Sequence, residues 1–104
     1  EAREVLDYLR RERATYTTQA VFGHGDWCLP NALVQGDAVT GAVDWSWGGY
    51  ADYRFDLATG LWSLRYNLGD DPAIGEYLAS FLDGYGYGGG VESLAFFDGI
   101  YALM

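Results

Sequence analysis

The sequence predicts a mixed α+β domain, mostly helical, with one small β-hairpin. Three observations carry this. Apolar residues recur with helical spacing over residues 1–14, 53–68, 73–82 and 91–104. A Gly36-Asp37 turn signal separates two short runs with strand character, residues 31–35 and 41–45. Half of the 104 residues are hydrophobic, too many for a disordered chain. A chain of this length is one domain at most and buries roughly 65% of its unfolded surface, enough for a modest core.

Residues 1–14 read as a helix with Val5, Leu6 and Leu9 on its apolar stripe and Arg3, Arg10, Arg11 and Arg13 in solvent. Its acidic residues come early and most arginines late, which complements the helix dipole. A solvated face explains the arginines better than a basic docking patch does. Residues 15–19 are a polar connector, and residues 20–22 a short buried strand that delivers the chain into a loop at His24. Gly23 and Gly25 flank His24 and free the backbone there. His24 has the chemistry of a base or a metal ligand. With Cys28 it could also suggest a thiol nucleophile or a zinc site, but one His and one Cys leave a zinc set to be completed by carboxylates. Pro30 stiffens the entry to Asn31.

A hairpin centred on Asp37 and Ala38 would place Asn31 opposite Asp44, with Cα atoms about 5 Å apart. Residues 45–52 form an aromatic and glycine-rich loop. Its Trp45, Trp47 and Tyr50 either stack on a ring-shaped ligand or pack into the core. The helix starting at Asp52 or Tyr53 and running to Leu68 carries apolar residues on most faces, so it is central. Asp56 on it must then be paired or richly hydrogen-bonded, unless it only favours the helix dipole. Residues 69–72 are a turn, with Asp71 as N-cap and Pro72 at the first position of the next helix, residues 73–82. Residues 84–90 contain Gly84, Gly86 and Gly89 in a Gly-x-Gly-x-x-Gly pattern. They follow a helix rather than a strand, so they read as a helix exit and not a nucleotide loop. Residues 91–104 are a last apolar helix.

The chemistry concentrates between His24 and Asp44. Asp26 is followed five residues later by Asn31, the spacing of a phosphotransferase catalytic loop. There the Asp orients or accepts the proton of the attacking hydroxyl, while the Asn and a later Asp, here Asp44, hold Mg²⁺ against nucleotide phosphates. Two hard oxygen ligands suit Mg²⁺, whose remaining positions go to phosphates and water.

Residues 21–64 resemble the aminoglycoside phosphotransferase family, most like its 3′-phosphotransferase branch. The resemblance rests on His24-Gly25-Asp26, Cys28-Leu29-Pro30-Asn31, Gly41, Asp44, Ala51-Asp52 and Asp56-Leu57-Ala58, with a weaker match at Phe81-Leu82-Asp83-Gly84-Tyr85-Gly86. It implies the C-terminal lobe of a protein-kinase-like fold, with the hairpin carrying the catalytic and metal-binding loops. It implies Asp26 as the catalytic residue and Asn31 and Asp44 as ligands of Mg²⁺. His24 and Asp56 would brace the loop, Asp56 through backbone N–H groups, and Trp47 and Asp52 would lie near the acceptor. ATP or GTP would be the donor and a small cationic, aminoglycoside-like molecule the acceptor, another small alcohol being the alternative. The chain departs from that branch at Ser46-Trp47, where Gly-Arg is usual. It has no lysine, its six basic residues all being Arg, and the nucleotide lobe with its phosphate-binding Lys is not represented.

The net charge of −9 argues against a nucleic-acid partner and suits cationic ligands. Cys28 is the only cysteine, no apolar run reaches about 18 residues, and no signal peptide is visible, so a cytoplasmic setting without membrane or disulfide is expected. The start at Glu1 and the apolar finish suggest a piece of a longer protein. Such a piece would expose apolar surface and self-associate, bind ATP poorly and transfer nothing measurable. A non-enzymatic sugar-binding module would use the 17% aromatic content but calls for an all-β chain. A glycoside hydrolase would need a carboxylate pair that no spacing singles out.

Overall fold

The computed structural model describes residues 1–103. Helix α1 (Ala2–Glu12) ends in a 3-10 turn, Arg13–Thr15, and an extended connector leads to β1 (Ala20–Gly23). The loop carrying His24, Asp26 and Cys28 follows, then β2 (Ala32–Gln35), β3 (Ala38–Ala42), β4 (Gly49–Asp52), α2 (Tyr53–Leu68), α3 (Ile74–Tyr85) and α4 (Ala95–Ala102). The strands form two separate antiparallel ribbons, β1 with β4 and β2 with β3.

Helix α2 is the centre. Leu57, Ala58, Thr59, Gly60, Leu61 and Ser63 on it are buried, and Leu82, Leu94, Phe96 and Phe97 close around them. Two glycines set the helix spacing. A Cβ on Gly60 would collide with the ring of Phe81 on α3, and one on Gly99 would sit 3.0 Å from Leu9 on α1. Helix α3 ends where Gly86 turns left-handed at φ 88°. The N–H groups of Gly86 and Tyr87 then reach back to the carbonyls of Asp83 and Leu82, a Schellman closure. The glycine pattern at 84–89 is thus a helix exit.

Several expectations need correction. Strand β1 is exposed, not buried: Val21 is 39% and Phe22 61% accessible. It belongs to a two-stranded ribbon, and Phe22 stacks on Trp45 and meets Tyr50 edge-on rather than lying under a covering layer. The aromatic stretch 45–52 is only half loop, because its second part is β4, paired Gly49↔Gly23 through Asp52↔Ala20. The hairpin register also differs by one. Gly36 takes φ 59°, so Gly36-Asp37 alone makes the turn between the paired Gln35 and Ala38, and a bulge follows at Leu33/Val34. Asn31 therefore faces Val43, whose N–H it accepts at 2.9 Å, and Asp44 lies beyond the strand. The third helix begins at Ile74. Asp71 caps the preceding turn, taking the Ala73 N–H at 2.8 Å and the Tyr77 hydroxyl at 2.9 Å. A 3-10 turn, Val91–Leu94, precedes α4, and Met104 lies outside the described residues.

A latch joins the β1–β4 ribbon to the helices. Asp52 is the N-cap of α2, and its carboxylate takes the backbone N–H groups of Arg54 (2.9 Å) and Gln19 (3.0 Å). The Arg54 guanidinium bonds Asp52 at 2.8 Å and the Thr17 carbonyl at 2.7 Å, and lies 4.6 Å over the Phe97 ring. Burial works to raise the Asp52 carboxyl. The hydrogen bonds from Arg54 and Gln19 outweigh it and bring the group from its ordinary 3.8 down to about 2. A depressed carboxyl contributes stability that is present above the unfolded value and lost as pH falls through the folded one. The shift corresponds to about 2 kcal/mol. We expect Asp52→Asn to cost about that much in urea unfolding near neutral pH, and the gap to close as pH falls from about 4 to about 2. A gap independent of pH would assign the effect to something other than this charge.

Candidate active site

The loop between β1 and β2 is anchored to α2 at both ends. Asp56, in the first turn of α2, accepts the N–H of His24 at 2.7 Å and of Gly25 at 2.9 Å. Its approach requires a glycine opposite: a Cβ on Gly23 would lie 2.8 Å from Asp56 Oδ2. Two turns on, the Ser63 hydroxyl accepts the Leu29 N–H at 2.9 Å, and Asn67 bonds the Ser63 carbonyl at 2.8 Å.

His24 is 4% accessible and committed at both ring nitrogens. Nε2 donates to the Val43 carbonyl at 2.7 Å, and Nδ1 accepts the Asp26 N–H at 3.1 Å. The ring therefore ties the loop to the end of the β2–β3 hairpin and leaves no nitrogen for a base or a metal. Gly25 takes φ 90°, and a Cβ there would collide with the backbone of Trp47, so this glycine lets the Trp47 turn press against the loop.

These anchors present Asp26. The Cys28 thiol donates to Asp26 Oδ1 at 3.4 Å, and the Asn31 amide donates to the Asp26 carbonyl at 2.8 Å and, more weakly, to Oδ2 at 3.4 Å. Burial and the bond to Asp26 push the Cys28 thiol up, so it stays protonated, a donor and not a nucleophile. Because its nitrogen serves Asp26, Asn31 turns its amide oxygen free. Asp44 has φ 62°, unusual for a residue with a side chain, and accepts the Ser46 hydroxyl on Oδ1 at 2.8 Å. Asn31 Oδ1 and Asp44 Oδ2 have no hydrogen-bond partner among the described residues. They are hard oxygen donors of the kind Mg²⁺ takes. Among the described residues no three His, Cys, Asp or Glu side chains gather as a metal set, so a metal here would rely on few protein ligands.

A cavity of about 330 Å³ opens beside Asp26, lined by Gly25, Asp26, Trp47 and Tyr101. Trp47 is 68% accessible; it and the exposed Trp45 and Tyr50 are outside the core. Asp52 sits in the α2 latch, both its oxygens engaged there. Sequence reasoning missed Tyr101. It arrives from α4, and its ring lies 5.2 Å from Trp62 and 6.4 Å from Phe55. Burial, the Cys28 thiol and the Asp26 charge push its phenol up, so it remains a neutral donor. No local motif marks it, since only tertiary packing brings α4 to the loop.

Residues 1–97 match the model of the phosphotransferase enzyme family. The chain is 38% identical over 86 residues to an aminoglycoside 3′-phosphotransferase of Niallia circulans, covering 83% of this chain and 31% of that protein. It is 32% identical over 83 residues to a probable aminoglycoside 3′-phosphotransferase of Lactococcus lactis subsp. lactis, covering 80% and 30%. The chain thus spans about a third of the length of the curated relatives it matches. Among solved structures, the type VIII aminoglycoside-3′-phosphotransferase superposes with a TM-score of 0.75 at 33% identity, over 98% of this chain and 39% of that one. An aminoglycoside phosphotransferase of Streptomyces rimosus, in complex with ADP and streptomycin, also gives 0.75, at 28% identity over 96% and 40%.

Proposed function

Because the chain belongs to the phosphotransferase enzyme family, with the kinase-like fold of its structural neighbours, we propose that it carries the catalytic and acceptor-facing part of an ATP-dependent aminoglycoside phosphotransferase. The observation that carries this reading is Asp26, held between the Cys28 thiol and the Asn31 amide on a loop anchored by Asp56, with an open cavity beside it.

In this reading a hydroxyl of the acceptor rests against Asp26. Its oxygen forms a bond to the γ-phosphorus of the nucleotide as the bond to the bridging oxygen breaks and ADP leaves. The hydroxyl proton passes to the Asp26 carboxylate. Such a transition state asks the protein mainly for position and electrostatics, which fits a catalytic carboxylate fixed by hydrogen bonds. Asn31 and Asp44 would hold Mg²⁺, which when bound supplies charge neutralisation at the phosphates. His24 and Asp56 keep the loop in shape, and Trp47 faces the acceptor. The net charge of −9 draws a polycationic acceptor in. The nucleotide lobe belongs to the rest of the protein, so residues 1–104 alone turn over nothing measurable and their uncovered apolar surface favours self-association. ATP as donor is favoured by the ADP complex of the Streptomyces neighbour, with GTP as the alternative, and the cytoplasm is the compartment that supplies it.

The test is a phosphotransfer assay on the full-length protein with Mg-ATP, or Mg-GTP, and a panel of aminoglycosides including streptomycin. Phosphorylated antibiotic is expected. Transfer only to some other alcohol would keep the reaction and replace the acceptor, and failure to bind any nucleotide would overturn the proposal.

A further inference from the structure

The cavity beside Asp26 says more about the acceptor than that it carries a hydroxyl. It is a cavity of about 330 Å³ that opens beside Asp26. Its lining comes from three distant parts of the chain: Gly25 and Asp26 from the loop, Trp47 from the turn after β3, and Tyr101 from α4. Asp26 is the one charged side chain in that lining, and no basic residue is there.

The backbone turn bearing Trp47 and the ring of Tyr101 are each packed against neighbours. Gly25 admits the backbone of Trp47 where any Cβ would collide with it, which fixes the turn bearing the indole. Tyr101 is backed by Trp62 and Phe55. Its phenol stays neutral beside Asp26 and Cys28. Trp47, by contrast, leaves most of its surface in water, large apolar area with no cover among the described residues.

We propose that Trp47 and Tyr101 are specificity-determining residues forming an aromatic clamp on one ring of the acceptor. The clamp selects a cyclic polyol with a neutral or cationic outline, a hexosamine or aminocyclitol ring. This rests on the reading of Asp26 as the group that receives the acceptor hydroxyl. Such a ring has an apolar C–H face and hydroxyls at its edge. The face lies against the indole and phenol while an edge hydroxyl meets Asp26. Ammonium substituents gain from the negative faces of the aromatic rings. An anionic acceptor finds no cation in the lining and meets the Asp26 charge. A linear amino alcohol has the hydroxyl and the charge but no face to stack.

Saturation-transfer NMR on the full-length protein, with glucosamine as a one-ring probe and ethanolamine as its linear counterpart, tests this without requiring turnover. Saturation is expected on ring C–H protons of glucosamine, with none on ethanolamine. Trp47→Ala and Tyr101→Ala should each weaken glucosamine binding roughly three- to tenfold, and Tyr101→Phe should retain it. In the transfer assay the Ala variants should raise the acceptor KM by a similar factor, more than they lower kcat. Trp47 is exposed, so its variant remains informative if Tyr101→Ala misfolds. Equal binding by wild type and both Ala variants, equal binding of the linear probe, or no binding of glucosamine overturns the clamp. Aromatic-dependent glucosamine binding in a protein that transfers no phosphoryl group would sustain the clamp and overturn the catalytic reading.

Discussion

In the full-length protein, Asp26→Asn should lower kcat by about 10²- to 10⁴-fold, the range for loss of a positioned general base, with the thermal midpoint little changed. The substitution preserves shape. An amide oxygen can still accept the Cys28 thiol, and the backbone carbonyl of residue 26 still accepts the Asn31 amide at 2.8 Å. What disappears is an atom able to take the acceptor proton and a charge able to orient the hydroxyl. A second change is small: the new amide nitrogen faces the Asn31 amide, in place of a long 3.4 Å contact. The acceptor KM should move less than kcat, because proton transfer belongs to the chemical step. Steady-state rates with matched circular dichroism melts check this. Activity within tenfold of wild type would remove Asp26 from the reaction, whatever the family of the chain.

How much of this was legible in the sequence depends on how far apart the interacting residues lie. Asp26 and Asn31 could be associated from spacing alone, because the 3-10 turn Leu29–Asn31 folds the loop back over a few residues and the contact is local. Helix α2 could be read for the same reason, its apolar residues crowding most of its faces. Asp44 shows where spacing stops helping. Its partner depends on the turn, and Gly36 at φ 59° together with the bulge at Leu33/Val34 shifted the pairing by one. Asp52 was read as lying near the acceptor, but its setting is made by Gln19 and Arg54 on either side of the ribbon. Strand β4 escaped because glycine and aromatics in 45–52 resemble a loop until β1 is there to pair with it. Tyr101 left no trace at all: nothing in α4 announces that it reaches the Asp26 cavity.

The loop itself is tested at Asp56, where two explanations differ in size. As an acidic residue in the first turn of α2, Asp56 gains from the helix dipole about 0.3–1 kcal/mol. As the acceptor of the His24 and Gly25 N–H groups at 2.7 and 2.9 Å, it does more. Removing it strands two part-buried donors, each costing about 1–3 kcal/mol. Asp56→Ala should therefore destabilise the full-length protein by about 2–6 kcal/mol in urea unfolding. Asp56→Asn should fall between Ala and wild type, because its one amide oxygen can serve one of the two donors while its NH₂ group opposes the other. A loss below about 1 kcal/mol for Asp56→Ala would leave only the dipole, and the loop would have to be held by His24 and Ser63 instead. A loss in the higher range ties catalysis to folding. The same carboxylate fixes the backbone at Gly25, which lines the Asp26 cavity and lies against the Trp47 backbone, so transfer should fail in Asp56→Ala even at temperatures where the protein is still folded.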